Sequence, residues 1–131
     1  MLHKCLVTYL HEVEQAINRC ESAYVEKYIE EVLTPERANL RIRLRFAQGH
    51  LLAINEAIIV ADDRLTPLDY RYHCQDAQNR LIFRYDSTPH FPDLDTFPHH
   101  KHLTNDVISH EKPEIIVVID EAKTAMDDVS L

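Results

Sequence analysis

The stretch LRIRLRF, residues 40–46, alternates strictly between apolar side chains and arginines. Successive side chains of a strand point to opposite faces of a sheet, so this stretch predicts a strand with one buried and one cationic face. The segment AQGH that follows contains Gly49, the only glycine of the chain, which can adopt the positive φ of a tight hairpin turn. The next run, LLAINEAIIV, is apolar on both faces, which is typical of a central or doubly covered strand. A sheet built from hairpins is therefore expected.

The segments DYRYHCQD (69–76) and RLIFRYD (80–86) predict a second hairpin, and their apolar faces fix its register. A slip of one residue would turn polar groups into the core. The predicted pairs of the apolar face are Asp76 with Leu81, Cys74 with Phe83, and Tyr72 with Tyr85. The predicted pairs of the other face are Gln75 with Ile82, His73 with Arg84, and Arg71 with Asp86, so that a histidine, two arginines and a carboxylate become neighbours.

Helical periodicity is found near both ends of the chain. Apolar residues spaced by three and four from Leu6 to Cys20 predict an N-terminal amphipathic helix. Residues 23–33 combine strand-favouring Val, Tyr and Ile with glutamates at helical spacing, and of the two interpretations we prefer a strand. Residues 87–111 are interrupted by prolines and are predicted to form a long loop. From residue 114 the acidic first turn after a proline predicts a C-terminal helix, with a strand as the alternative.

The predicted fold class is α+β, in a single domain of 131 residues. It consists of an N-terminal helix, a twisted, mostly antiparallel sheet of four to five strands with the helices on one face, a long His/Pro-rich loop and a C-terminal helix. The chain has no apolar run long enough for a membrane span, and its start turns charged too soon for a signal peptide, so we expect a cytoplasmic protein. Three widely spaced cysteines without a CxxC motif argue against a disulfide framework and a thiolate zinc site.

Charge is distributed unevenly along the chain, whose net charge is −8. Residues 1–36 carry 3 basic and 7 acidic side chains, residues 37–84 carry 8 and 5, and residues 85–131 carry 3 and 10. The negative total argues against a general nucleic-acid-binding protein. The basic residues of the middle segment are all arginines, however, and arginine binds phosphates and carboxylates. Arg41, Arg43 and Arg45 are therefore either a track for phosphates or a means of keeping an amphipathic strand soluble.

The stretch FPHHKH, residues 97–102, suggests proton transfer. Cleavage of an RNA phosphodiester without a metal needs a base for the 2′-hydroxyl, an acid for the leaving oxygen, and cations for the charged transition state. The predicted strand face and this histidine cluster together supply all three. The candidate catalytic residues are His73, Arg84, Asp86, His99, His100, Lys101 and His102, with Arg84 and Lys101 as the cations and Asp86 orienting Arg71 or a histidine.

Two other interpretations remain open. A metal-dependent nuclease or hydrolase would use Asp86 with His90, His99, His100 and His102, but the chain lacks the HExxH and CxxC motifs, so no metal or other cofactor is the preferred expectation. In an extended segment His100 and His102 would share a face, whereas His99 and His100 would point apart. Alternatively, the chain is a non-catalytic binding module whose histidines are structural and whose basic face docks an acidic partner. A phosphate loop is excluded by the single glycine.

The strings YHCQD (72–76), LIFRYDSTPH (81–90) and FPHHKH (97–102) resemble, in order and spacing, motifs of the TumE family. The family pattern runs YHYQD, then IFRYDN-PHH, then FPHHKH, and the likeness is strongest over residues 67–102. Cys74 replaces an aromatic residue on the predicted core face, where we expect tolerance, and Ser87 replaces asparagine. Phe91 replaces the second histidine of PHH, so the chain would be weakened or inactive if that histidine is a ligand or proton carrier.

The resemblance implies the toxin of a type II toxin–antitoxin pair, neutralised by a cognate protein antitoxin, and an RNA-directed activity that blocks translation. Our leading hypothesis is therefore a toxin-like, metal-independent endoribonuclease. A homodimer is suggested only by the doubly apolar run LLAINEAIIV. Besides the catalytic candidates, the residues expected to bind substrate are Arg41, Arg43, Arg45, Arg71, Gln75 and His90.

Overall fold

One antiparallel sheet of seven strands, with two helices, makes up residues 1–125, the part of the chain that the computed structural model describes. Each strand pairs with the next one along the chain, so the order across the sheet is the order of the sequence. The elements are α1 (Lys4–Arg19), β1 (Ala23–Thr34), β2 (Arg37–Phe46), β3 (Leu51–Ala61), β4 (Arg64–Gln75), β5 (Leu81–Asp86), β6 (His100–Leu103), β7 (Asp106–Ser109) and α2 (Ile115–Ala125).

Turns of two to five residues join five of the six pairs of neighbouring strands, and the 13-residue segment 87–99 joins β5 to β6. Gly49 between β2 and β3 has a φ of 95°, which confirms the predicted use of the only glycine. Asp62 and Asp63 between β3 and β4 have φ values of 52° and 58°, the positive values that a two-residue hairpin turn requires. Aspartate is among the residues that tolerate this conformation.

Both helices pack on the same face of the sheet, where the alternation of the strands collects apolar side chains. In β2 every second residue from Ala38 to Phe46 is buried, and the intervening arginines point to the other face. The helices contribute their own buried stripes to this core: Leu6, Leu10, Val13 and Ile17 from α1, and Ile115, Val118, Ile119 and Ala122 from α2. The α+β class and both predicted helices are thus confirmed, while the part of the C-terminal helix expected beyond residue 125 lies outside the described residues.

The predicted number of strands is wrong: the sheet has seven strands, not four to five. The difference arises mainly in residues 87–111, predicted as one loop, because FPHHKH enters the sheet as β6 and is followed by β7. These strands have four residues each, too short to display a clear alternation. β1 is a strand, as predicted, and forms one edge of the sheet. β3 lies inside the sheet between β2 and β4, and the homodimer suggested by its apolar run stays a prediction.

The register predicted for the hairpin of β4 and β5 is correct for four of its six pairs. The observed partners include Arg71 with Asp86 and His73 with Arg84, as expected from the apolar face. A register shift between Cys74 and Gln75 then places Gln75 opposite Leu81, not Ile82, so the end of the hairpin next to the turn differs from the prediction. Such bulges add a residue to one strand, and strict alternation of side chains does not predict them.

Neither helix within residues 1–125 is long and apolar enough to cross a membrane.

A buried carboxylate connects the sheet with the helical layer. Glu56 of β3 is 4% exposed and accepts hydrogen bonds from the hydroxyls of Tyr9 in α1, at 2.5 Å, and Tyr72 in β4. Burial and the neighbouring carboxylate raise the pKa of both tyrosines, so the hydroxyls keep the protons they donate. The ammonium of Lys112, in the segment before α2, lies 3.9 Å from the same carboxylate. Glu56 therefore fixes three separate parts of the chain at one point.

Replacing this carboxylate is expected to destabilise the fold. Glu56→Ala leaves two buried hydroxyls without their acceptor, and we expect a loss of about 3 kcal/mol in the free energy of unfolding, measured by urea denaturation. Glu56→Gln retains one acceptor oxygen and should lose less. The control is Asn55→Ala at the neighbouring exposed position. Equal losses for Glu56→Ala and Asn55→Ala would show that the tyrosine contacts contribute nothing to stability.

Candidate functional site

The face of the sheet opposite the two helices carries cross-strand rows of polar side chains. Because neighbouring strands are in antiparallel register, a residue and its partners on adjacent strands point to the same face. Two such rows cross β2 to β6 next to each other. The first row is Arg41, Asn55, Arg71, Asp86 and His100, and the second is Arg43, Ala53, His73, Arg84 and His102.

Asp86 is the centre of the polar cluster at the β5–β6 end of these rows. Its side chain is only 3% exposed. One carboxylate oxygen, Oδ1, lies 2.9 Å from His100 Nε2 and accepts the backbone N–H of Thr88 at 3.0 Å. The other, Oδ2, accepts from Arg84 Nε at 3.1 Å and lies 3.5 Å from His102 Nε2. Of the two predicted roles for Asp86, orienting Arg71 or orienting a histidine, these contacts match the histidine.

The contacts of His100 favour a proton or a cation between the side chains. Its Nδ1 lies 2.9 Å from the carbonyl oxygen of Pro98, which can only accept, so Nδ1 carries a proton. Its Nε2 faces Asp86 and also lies 3.0 Å from His102 Nε2. A neutral His100 protonated at Nδ1 would therefore have an unprotonated Nε2 within 2.9 Å of a carboxylate oxygen. Either a second proton, making His100 an imidazolium, or a cation held between the three side chains removes this repulsion.

His73 and His102 lie on either side of Arg84, on the neighbouring strands. Burial lowers the pKa of His73, and the nearby Arg84 lowers it further, although a hydrogen bond to Gln75 at 3.0 Å opposes the shift. Burial also lowers the pKa of His102, again with a contribution from Arg84, while Asp86 opposes it. The Arg84 side chain is 30% exposed, and its recorded bond to Asp86 uses only Nε. The charge of Arg84 thus acts on both histidines, its strand neighbours.

Lys101 and His99 lie on the helix-covered face, away from this cluster. Lys101 Nζ donates to Glu121 Oε2 of α2 at 2.6 Å and lies 4.8 Å from the ring centre of Tyr85. Burial disfavours the ammonium form, but hydrogen bonds to Glu121 and Tyr85 outweigh it and raise the pKa of Lys101. His99 Nδ1 lies 3.0 Å from the Tyr70 hydroxyl. The predicted divergence of His99 and His100 is confirmed, and the same alternation separates Lys101 from the cluster it was expected to join.

The arginines expected to bind substrate are not equivalent. Glu26 of β1 lies 2.9 Å from Arg45 Nε and 3.5 Å from Arg43 Nε, so these two arginines share one carboxylate. Within residues 1–125, Arg41 and Arg71 have no acidic partner within 4 Å, and both line a groove of about 790 Å³ on the uncovered face. The groove is also lined by Arg37, Asn39 and Asn55, which the sequence did not identify although alternation places them there. One exposed carboxylate, Asp69, lines it too.

The remaining candidates lie around the cluster. Gln75 bridges His73 and Asn79 through its side-chain amide. His90 is exposed and lies beside Phe91, 6.4 Å away between ring centres. The ring of Phe91 contacts both cluster histidines, with ring centres 5.0 Å from His100 and 5.8 Å from His102. The departure from the family pattern at position 91 therefore lies directly against the site.

Cys74, next to His73 in sequence, is not a nucleophile candidate. It points into the core, and burial raises the pKa of its thiol to about 12.

Among the described residues, three side chains could hold a metal ion: Asp86, His100 and His102, whose ligand atoms all lie within 4.8 Å of one another. His90 and His99 were considered as ligands from the sequence, but they are not part of this group.

Comparison with known proteins gives one family. The model of the family described as toxin TumE matches residues 13–129, which is most of the chain. No curated protein and no solved structure matches the chain.

The position of Lys101 predicts a structural role. Lys101→Met removes the ion pair with Glu121, and we expect a loss of about 1 to 2 kcal/mol in the free energy of unfolding, measured by urea denaturation. The double variant Lys101→Met, Glu121→Gln should recover part of this loss, because it leaves no unpaired charge. A loss in Glu121→Gln that adds fully to that of Lys101→Met would contradict the pairing.

Proposed function

The chain belongs to the toxin TumE family, and from this membership we propose that it is the toxin of a type II pair that blocks translation as a metal-independent endoribonuclease. Membership of the family implies an antitoxin partner. The proposed substrate is RNA, and the proposed location is the cytoplasm, where translation takes place. The uncovered face of the sheet is the proposed site of both binding and cleavage.

The observation that carries the proposal is the row His73, Arg84 and His102 on three adjacent strands. Strands lie about 4.8 Å apart, so the two histidines are about 10 Å apart at the backbone, with the guanidinium between them. This spacing admits a phosphate group that contacts Arg84 and lies within reach of both imidazoles. Strands also position side chains more firmly than the predicted loop would, which favours proton transfer over fixed distances.

Cleavage on this row would proceed by attack of the ribose 2′-oxygen on the adjacent phosphorus. One histidine accepts the proton of the 2′-hydroxyl, and the other donates a proton to the departing 5′-oxygen. The products are a 2′,3′-cyclic phosphate and a free 5′-hydroxyl, so neither water nor a metal is consumed. Arg84 stabilises the charge that develops on the phosphorane oxygens. Asp86 holds Arg84 through Nε and so orients the guanidinium toward the row.

The groove next to the row is the proposed path of the RNA backbone. Arg41 and Arg71 line it without an acidic partner among the described residues, and Arg71 is the strand neighbour of Asp86. Local positive charge of this kind binds phosphates although the chain as a whole is acidic. The net charge of −8 would at the same time keep the protein from binding nucleic acid over its whole surface.

Loss of either histidine of the row is expected to reduce cleavage. We expect His73→Ala and His102→Ala each to lower the rate by about 100-fold or more, because each removes a proton carrier. The assay uses purified, tag-free protein, total cellular RNA and EDTA, and the ends of the products are analysed for 2′,3′-cyclic phosphate. His11→Ala, an exposed histidine of α1, is the matched control and should cleave like the unchanged protein.

Two results would contradict the mechanism. Cleavage of an oligonucleotide that carries a 2′-deoxyribose at the cleaved position would show that the 2′-oxygen is not the nucleophile. Equal cleavage by the unchanged protein and by both row variants would show that His73 and His102 are not the proton carriers. If RNA is bound but cleaved by none of these proteins, the site functions as a binding module and the ribonuclease proposal fails.

Binding by the groove should depend on salt in a way that identifies its arginines. Arg71→Ala is expected to weaken binding of a fully 2′-deoxy-substituted, non-cleavable strand. It should also reduce the slope of log K against log salt by about 0.7, the contribution of one phosphate contact to a single strand. Arg64→Ala, at the first residue of β4, makes the same charge change away from the groove and is the control. Identical slopes for the two variants would show that Arg71 contacts no phosphate.

A further inference from the structure

Asp86, His100 and His102 hold polar atoms close to one another. The Asp86 oxygens lie 2.9 Å from His100 Nε2 and 3.5 Å from His102 Nε2, and the two nitrogens lie 3.0 Å apart. Carboxylate oxygens and imidazole nitrogens are ligands of first-row transition metals. The 2.9 Å contact is made by Asp86 Oδ1 and the 3.5 Å contact by Asp86 Oδ2, and one ligand atom from each of the three residues lies within 4.8 Å of the other two. Bonds of about 2.0 to 2.1 Å to one ion separate neighbouring ligand atoms by about 3 Å, so the three side chains are close enough to share an ion.

The surroundings of the three side chains match those of metal ligands. His100 donates its Nδ1 proton to the Pro98 carbonyl, which leaves Nε2 free as a ligand in the correct tautomer. Asp86 is held by Arg84 and by the backbone N–H of Thr88. Such bonds from a second group fix the orientation of a ligand before the ion binds. His100 is 1% exposed, so its rotamer is also fixed by packing.

We infer that Asp86, His100 and His102 form a binding site for one divalent first-row transition-metal ion. Two imidazoles and one carboxylate favour zinc, iron, cobalt or nickel over magnesium and calcium, which prefer oxygen ligands throughout. Three protein ligands leave at least one coordination position open. His102, the least buried of the three at 17% side-chain exposure, lies on the accessible side of the site.

Metal binding at this site would regulate the proposed reaction. A metal ion held by Asp86, His100 and His102 would engage one of the two histidines that the proposed reaction uses. The metal-bound protein should therefore be inactive as a metal-independent ribonuclease, and chelation should restore cleavage. This consequence rests on the proposed function, whereas the binding site itself does not.

Binding can be measured without RNA by calorimetric titration of tag-free, chelator-treated protein with Zn²⁺. We expect one site per chain, and affinities at least about 100-fold weaker in Asp86→Asn and His102→Ala. His11→Ala is the control, and His99→Ala should also keep the affinity of the unchanged protein, because His99 lies on the other face. Thermal unfolding of each metal-free variant establishes that it is folded, and His102→Ala, at the most exposed of the three positions, is the variant expected to fold most readily.

Titration with Co²⁺ gives an independent measurement, because its visible absorption bands report coordination by imidazole and carboxylate. Absence of saturable binding, or equal affinity in the unchanged protein and both ligand variants, would overturn the site. The ribonuclease assay distinguishes the two proposals. Inhibition by one equivalent of Zn²⁺ supports both, whereas cleavage that requires the ion would keep the metal site and overturn the metal-independent mechanism.

Discussion

The antiparallel register of β4, β5 and β6 decides which side chains meet on the uncovered face. It places Arg84 between His73 and His102, and Asp86 beside His100. The register is fixed from the opposite face, where Tyr72, Cys74, Phe83 and Tyr85 are buried beneath the helices. A slip of one residue would expose these side chains and bury the charged ones, which is energetically prohibitive. The apolar core therefore specifies the geometry of the polar site.

Burial of Asp86 removes its hydration, but the contacts that compensate for this loss also fix the side chains of the site. A buried carboxylate loses its hydration and is tolerated only where donors or cations compensate for the loss. Here the compensation comes from Arg84, from the N–H of Thr88 and from His100. The same contacts fix the orientation of the two side chains that the proposed chemistry and the proposed metal site need. The positive charge that compensates the Asp86 carboxylate can come from a proton between Asp86 and His100 or from a metal ion in its place.

Much of this architecture follows from the sequence because alternation is a strong signal in long strands with one buried face. It predicts β2, the paired residues of β4 and β5, and the opposite orientation of His99 and His100. The missed strands, β6 and β7, have four residues each and follow a proline-rich segment, so they show too few alternations to be recognised. Once His100 and Lys101 are in a strand, however, alternation itself separates Lys101 from the histidine cluster. The pairing of Glu26 with Arg43 and Arg45 could not be predicted, because Glu26 lies at an irregularity in β1 between Val25 and Lys27.

The central proposal is that RNA binds to the uncovered face, at the row of His73, Arg84 and His102. The most direct test observes the histidine side chains by NMR while a non-cleavable, fully 2′-deoxy-substituted strand is added to metal-free protein. The ring resonances of His73 and His102 should shift in proportion to the fraction of protein that is bound to the strand. The ring resonances of His99 and His110, whose side chains contact Tyr70 and Tyr85 on the helix-covered face, should not shift. Shifts confined to His99 and His110, or binding that leaves His73 and His102 unchanged, would contradict it.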